Sequence, residues 1–179
     1  AILMNQKVWQ ASGHVDGFND PLVEDTKTKK RYRADNLLED LGFEGVAAMS
    51  VEQMDALIKE KGIKSPDGNP LSEIRQFNMM FKTNVGATED ENSVSYLRPE
   101  TAQGMFVNFK NVVDSFSPNM PFALAQVGKA FRNEISPRDF IFRVRELEQM
   151  EIELFVHPDT WKEQFDTWLQ LQQDFYLSL

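Results

Sequence analysis

Arg132, Glu134, Arg143, Arg145, Gln149, Glu151 and Glu153 fall at alternating positions within residues 131–153. A period of two sends successive side chains to opposite sides of a sheet, so the stretch predicts a β-hairpin with one apolar and one charged face. Its first strand would run over residues 122–134, with Ala123, Ala125, Val127 and Phe131 on the apolar side. Its second would carry Phe142, Val144, Met150, Ile152, Leu154 and Val156 there, interrupted by Glu146 and Glu148. Ser136-Pro137-Arg138-Asp139 supplies turn formers between them. Gly128 and Ala130 share the charged face and leave room for something flat. Two readings fit: guanidinium and carboxylate groups gathered on a charged, flat ligand, or a solvated surface whose cross-strand ion pairs each contribute less than about 1 kcal/mol.

Other elements must hold this hairpin. Ser50-Val51-Glu52-Gln53 forms a capping box, Met54, Leu57 and Ile58 repeat at helical spacing, and Gly62 can end the run, so a surface helix is expected over 50–62. Residues 65–70 and the acidic stretch 83–93 are expected as loops, and residues 100–116 as a helix with Met105, Phe106, Phe109, Val112 and Val113 on one side. A last helix is expected over 158–178, where Trp161, Phe165, Trp168, Leu169 and Phe175 recur at helical spacing and serve packing rather than chemistry.

The chain has 179 residues, 41% hydrophobic and 26% charged, enough for one domain with a real core. It lacks an apolar run long enough to cross a membrane, and its first residues lack a signal-peptide core. The net charge of −9 argues against a freestanding nucleic-acid-binding module, whose affinity would come from Lys and Arg on phosphates. Without cysteine there are no disulfides or thiolate metal sites, which suits the cytoplasm. The order of elements, with no βαβ alternation and no glycine-rich phosphate loop, argues against a Rossmann-type site.

Phe131-Arg132-Asn133-Glu134, a loop, and Phe142-Arg143-Val144-Arg145-Glu146-Leu147-Glu148-Gln149-Met150-Glu151-Ile152-Glu153 resemble the second signature motif of class II aminoacyl-tRNA synthetases, in particular the homodimeric glycyl-tRNA synthetase family. Residues 9–21, 31–35, 75–81 and 96–104, among them Arg98-Pro99-Glu100-Thr101, are similar to further segments of that family in the same order. The resemblance covers most of the chain apart from a variable stretch around residues 40–72. It implies an α+β fold, an antiparallel β-sheet flanked by helices, and a partial catalytic domain over 1–179 with a helical insertion at about 44–72.

The resemblance also implies a function: ATP-dependent activation of glycine to glycyl-adenylate and transfer to the 3′ end of tRNA(Gly). Arg132 would contact the α-phosphate, for which a guanidinium fork is well suited. Glu134 would meet the adenine amino group or help order the nucleotide and the tRNA end. Asn133, Phe142, Arg143, Val144, Arg145, Glu146 and Leu147 would complete the ATP site. Glycine would be met by Glu100, by Leu147, Glu148, Gln149, Met150 and Glu151, and by Arg33. Magnesium is expected to arrive with ATP, and the full-length protein is expected to be a cytoplasmic homodimer. The cysteine pairs that some family members carry near Ser65-Pro66-Asp67-Gly68-Asn69 have no counterpart, so turn chemistry is expected there in place of a structural zinc.

Two departures limit the implication. The family's first-motif helix, third motif and anticodon-binding domain are not found in this chain, which suggests part of a catalytic core. A nucleotide-binding or regulatory module derived from a synthetase is the alternative. The family also places phenylalanine where this chain has Leu147. An aromatic ring on adenine is worth roughly 0.5 to 1.5 kcal/mol beyond its area. Leu147→Phe should therefore tighten ATP binding several-fold, and an unchanged ATP dissociation constant would refute the stacking argument.

Overall fold

A computed structural model describes residues 1–87, 90 and 93–179. In chain order the elements are β1 Leu3–Asn5, α1 Gln6–Ala11, α2 His14–Gly17, β2 Asn19–Glu24, β3 Arg31–Arg33, α3 Ala34–Asp40, a 3-10 turn Val46–Ala48, and α4 Val51–Lys61. These are followed by β4 Arg75–Asn78, β5 Lys82–Asn84, β6 Val94–Leu97, α5 Ala102–Phe116, β7 Phe122–Phe131, β8 Glu146–Phe155 and α6 Trp161–Leu177. The chain divides into two compact units, residues 1–100 with 129–147, and residues 101–128 with 148–179.

The first unit contains two antiparallel three-stranded sheets, ordered β1-β6-β5 and β3-β2-β4. Trp9, Met80 and Tyr96 pack beside the first, while Val23, Ala34 and Leu37 join α3 to the second. Leu38, Val46, Met54 and Ile58 form a third cluster, with Phe43, Met49 and Leu57 around it. Thus the stretch that is variable by resemblance still supplies a core. The expected helix is α4: the Ser50 side chain accepts from Gln53 N, Gln53 returns the bond to Ser50 N, and Gly62 ends the helix at φ 60°. The expected loop over 83–93 is corrected at its start, because Thr83 and Asn84 pair with Ser95 and Val94 in the β5-β6 ladder. Thr88, Glu89, Glu91 and Asn92 lie outside the described residues.

The turn at Ser65–Asn69 closes on Asp25. That buried carboxylate accepts from Lys27 N and Thr28 N at 2.8 Å each, Ser65 Oγ at 2.6 Å and Asn69 Nδ2 at 3.1 Å. Burial alone would raise its pKa, but these donors outweigh burial and hold it far below the ordinary value of 3.8.

In the second unit Phe109, Phe122 and Phe155 stack with centroids 4.5 to 5.7 Å apart. Gly104 lets α5 approach β7: a Cβ there would stand 3.2 Å from Gln126 Oε1. Helix α6 matches its expected span but buries none of its residues in this structure, and Trp161, Phe165 and Phe175 are more than half exposed. The packing expected of those aromatics is therefore not realised within the described chain.

The hairpin is shorter than its alternation predicts. β7 ends at Phe131 and β8 begins at Glu146, so Arg132, Glu134, Phe142, Arg143, Val144 and Arg145 leave the sheet face assigned to them. One more rung survives, Arg132 N to Arg145 O at 2.9 Å; then Asn133 N donates to Met79 O at 2.7 Å and draws the chain off the ladder. The tip is at Asp139 and Phe140, both at positive φ, inside a bridge between Arg138 and Arg143. Within the strands alternation holds, with its polarity reversed: Met150 and Ile152 are exposed while Gln149, Glu151 and Glu153 are half-buried.

Since the Asp25 pKa lies below 3.8, the stabilisation it gives is complete above that pH and is lost as pH falls beneath it. Asp25→Ala should lower Tm by several degrees at pH 7. The difference from the parent should shrink in acid, as read by thermal melts at pH 7 and pH 3.

Candidate functional site

All the residues expected at the ATP site, together with Arg33 and Glu100, belong to the first unit; Glu148, Gln149, Met150 and Glu151 belong to the second. Each set is described separately.

In the first unit Arg98, Arg132 and Arg145 donate to main-chain carbonyls and Arg143 to a side-chain amide. Arg132 Nε donates to Pro99 O at 3.2 Å, and its guanidinium carbon stands 5.7 Å from the Phe18 ring centroid. Arg145 donates through Nε and Nη2 to Glu134 O at 3.2 and 3.0 Å, and Arg98 Nε donates to Lys129 O at 2.7 Å. Arg143 Nη1 donates to Asn36 Oδ1 at 3.1 Å. A neutral acceptor fixes a guanidinium without cancelling its charge, so Arg132 and Arg145 stay electrostatically available to an anion, while Arg143 also acts on the carboxylates of Asp20 and Asp35. Among the described residues no ion pair joins Arg132 or Arg143 to a glutamate, the alternative for both.

Glu134 is 7% exposed, and its Oε2 is buried without a hydrogen-bond partner among the described residues. A buried acceptor left unpaired costs about 1 to 3 kcal/mol, so the position favours an arriving donor. Asn133 contributes its main-chain N–H to Met79. Phe142 is 88% exposed near the turn. Glu146 is exposed and pairs with Lys129 at 3.2 Å. Val144 and Leu147 are half-buried.

Arg33 is a clamp. Its Nε and Nη2 meet Asp35 Oδ1 and Oδ2 at 3.1 and 2.6 Å, and its Nη1 lies 2.9 Å from Asp20 Oδ2. Each of its nitrogens already faces a carboxylate, so its position suits it to tying β2, β3 and α3 rather than to holding glycine. Burial raises the Asp20 pKa despite Arg33; the Asp35 carboxyl, also penalised by burial, ends lowered by the Arg33 and Asn36 N–H bonds.

In the second unit Glu151 Oε2 accepts from Thr101 N at 2.7 Å and from Thr101 Oγ1, placing a negative charge at the N-terminal end of α5. Gln149 and Gln103 each have a buried Oε1 without a partner. Met150 and Glu148 face outward, and Glu148 is engaged. Sequence reasoning missed Asp20, Asp35, Asn36, Arg98 and His14. All but Asn36 lie inside the recognised strings, but no spacing marks them as partners of residues far along the chain. Among the described residues no group of three or more His, Cys, Asp or Glu side chains could hold a metal.

A model of the tRNA synthetase class II core domain (G, H, P, S and T) matches residues 81–179, and the chain belongs to that family. Its relatives include the glycine–tRNA ligases of Mesoplasma florum, 49% identical over 178 residues (98% of this chain, 40% of the relative), and Acetivibrio thermocellus, 50% identical over 186 residues (100% and 40%). That of Staphylococcus aureus is 50% identical over 188 residues, covering 100% of this chain and 41% of its own. The chain thus spans about two-fifths of the length of the curated relatives it matches. The crystal structure of the RNA binding domain of threonyl-tRNA synthetase from Cryptosporidium parvum superposes with TM-score 0.54 at 18% identity, over 99% of this chain and 29% of that one, a likeness of fold alone. The expected α+β class, antiparallel sheets with helices, is borne out.

Removing one partner of a buried ion pair strands the others. Arg33→Met, which leaves Asp20 and Asp35 facing one another, should cost roughly 3 kcal/mol in urea unfolding. Arg33→Lys should recover only part, since an ammonium cannot span both carboxylates as a fork does.

Proposed function

We propose that this chain is part of the catalytic core of a glycine–tRNA ligase. The observation that carries the reading is the pairing of a guanidinium, Arg132, tethered by one nitrogen to Pro99 O, with a buried, unpartnered carboxylate oxygen on Glu134 two residues away. In the reaction, a glycine carboxylate oxygen attacks the α-phosphorus of ATP, the bond to the bridging oxygen breaks, and pyrophosphate leaves. A hydroxyl at the tRNA 3′ end then attacks the adenylate carbonyl and AMP leaves. Such steps depend on positioning and on neutralising developing negative charge more than on a protein nucleophile.

Arg132 serves the α-phosphate through its free η nitrogens, with Arg143 and Arg145 adding positive potential. Glu134 Oε2 accepts from the adenine amino group, and Leu147 gives adenine an apolar contact. Glu100, Gln149 and Glu151 serve glycine, whose ammonium needs carboxylates and whose lack of a side chain favours exclusion of anything larger. Magnesium arriving with ATP would add to the neutralisation of phosphate charge. The complete protein is a homodimer acting in the cytoplasm on tRNA(Gly).

Glycine-dependent ATP–pyrophosphate exchange tests the proposal, measured on this chain and on a version extended to the length of its relatives. Exchange in the extended protein, reduced by about a hundredfold or more in Arg132→Ala, is expected from the loss of a charge-stabilising donor. Adenine nucleotide binding without exchange in either form would instead mark a nucleotide-binding module.

A further inference from the structure

We infer that His14 is a positioning residue for Glu100, itself oriented by Ser12. The inference rests on the reading of Glu100 as a glycine contact. All three residues lie in the first unit.

The local chain is built to hold an imidazole still. Helix α1 ends at Ala11, and Gly13, at φ 79°, turns the backbone straight into α2, a conformation that a side chain would strain. The His14 side chain is 14% exposed. Its ring stands edge-on to Trp9 with centroids 5.3 Å apart and tilted against Phe18 at 5.6 Å. Asn78 Nδ2 donates to the carbonyls of His14 and Val15 at 3.2 and 2.8 Å, fixing the backbone beneath. The two ring nitrogens then face two different groups: Nδ1 lies 2.9 Å from Ser12 Oγ, and Nε2 lies 3.4 Å from Glu100 Oε1.

The hydrogen inventory decides what this can do. Ser12 has one hydroxyl proton and two acceptors in reach, His14 Nδ1 at 2.9 Å and Trp9 O at 3.3 Å. When it donates to the nearer, Nδ1 is an acceptor, the ring carries its hydrogen on Nε2, and that N–H faces Glu100. No further proton is needed. The opposite assignment points a lone pair at a carboxylate, which repels. The Nε2–H form turns Glu100 Oε1 toward His14 and leaves its negative charge available for an ammonium group. At 3.4 Å the contact is long, and catalytic hydrogen bonds often tighten only in the substrate complex. The catalytic chemistry does not otherwise use His14.

The chain has two histidines, so the His14 tautomer is readable by long-range 15N–1H NMR of this chain, with His157→Gln making the assignment. Expected is Nε2–H, moving toward a mixture in Ser12→Ala; an Nδ1–H form in the parent overturns the inference. In exchange assays on the extended protein, His14→Ala should raise KM for glycine about tenfold, the worth of one charge-assisted hydrogen bond, with kcat and KM for ATP nearly unchanged. His14→Gln, which keeps a donor, should recover most of that loss. An unchanged glycine KM in His14→Ala alongside a raised one in Glu100→Gln also overturns the inference. If Glu100→Gln leaves glycine KM unchanged, the role given to Glu100 fails instead, and the tautomer still decides the Ser12–His14–Glu100 contact.

Discussion

The first unit depends on arginines that donate to main-chain carbonyls. Arg98 to Lys129 O and Arg132 to Pro99 O stitch the segment after β6 to the end of β7, and Arg145 to Glu134 O joins the two sides of the hairpin beyond its strands. Each bond fixes a loop whose backbone has left the ladder, and none cancels the charge it uses. The same side chains therefore set the geometry and keep a positive potential. A salt bridge would have given the first at the expense of the second.

Carboxylates are divided between two tasks. Asp25 and Asp35 are saturated with donors and hold turns and element junctions, which is why their pKa values fall in spite of burial. Asp20 shares Arg33 with Asp35, and its pKa stays raised because burial dominates. Glu134 is the opposite case, buried with one oxygen unpartnered. Glu151 lies between them: Oε2 anchors Thr101 at the start of α5, so the group that would meet substrate also secures the helix beside it.

Much was legible in residues 50–62, where a capping box, helical spacing and a terminal glycine all depend on neighbours in sequence. Alternation along β7 and β8 was equally legible. Which face is covered was not: alternation defines two faces, and burial depends on what packs against them. Extending the hairpin through Arg132 and Arg143 failed for a related reason. Nothing local says that Asn133 N–H will prefer Met79 O, contributed from far along the chain.

The site divides the same way. By itself the sequence determined the residue types, the order of the recognised strings, the family and the helices α4, α5 and α6, because caps and periodicities are short-range physics. Only the tertiary structure decided that Arg33 is spent on Asp20 and Asp35, that Arg132 keeps its charge, and that His14 faces Glu100. Those outcomes depend on distances between residues remote in sequence, and on whether a nearby carboxylate or a carbonyl claims each donor first.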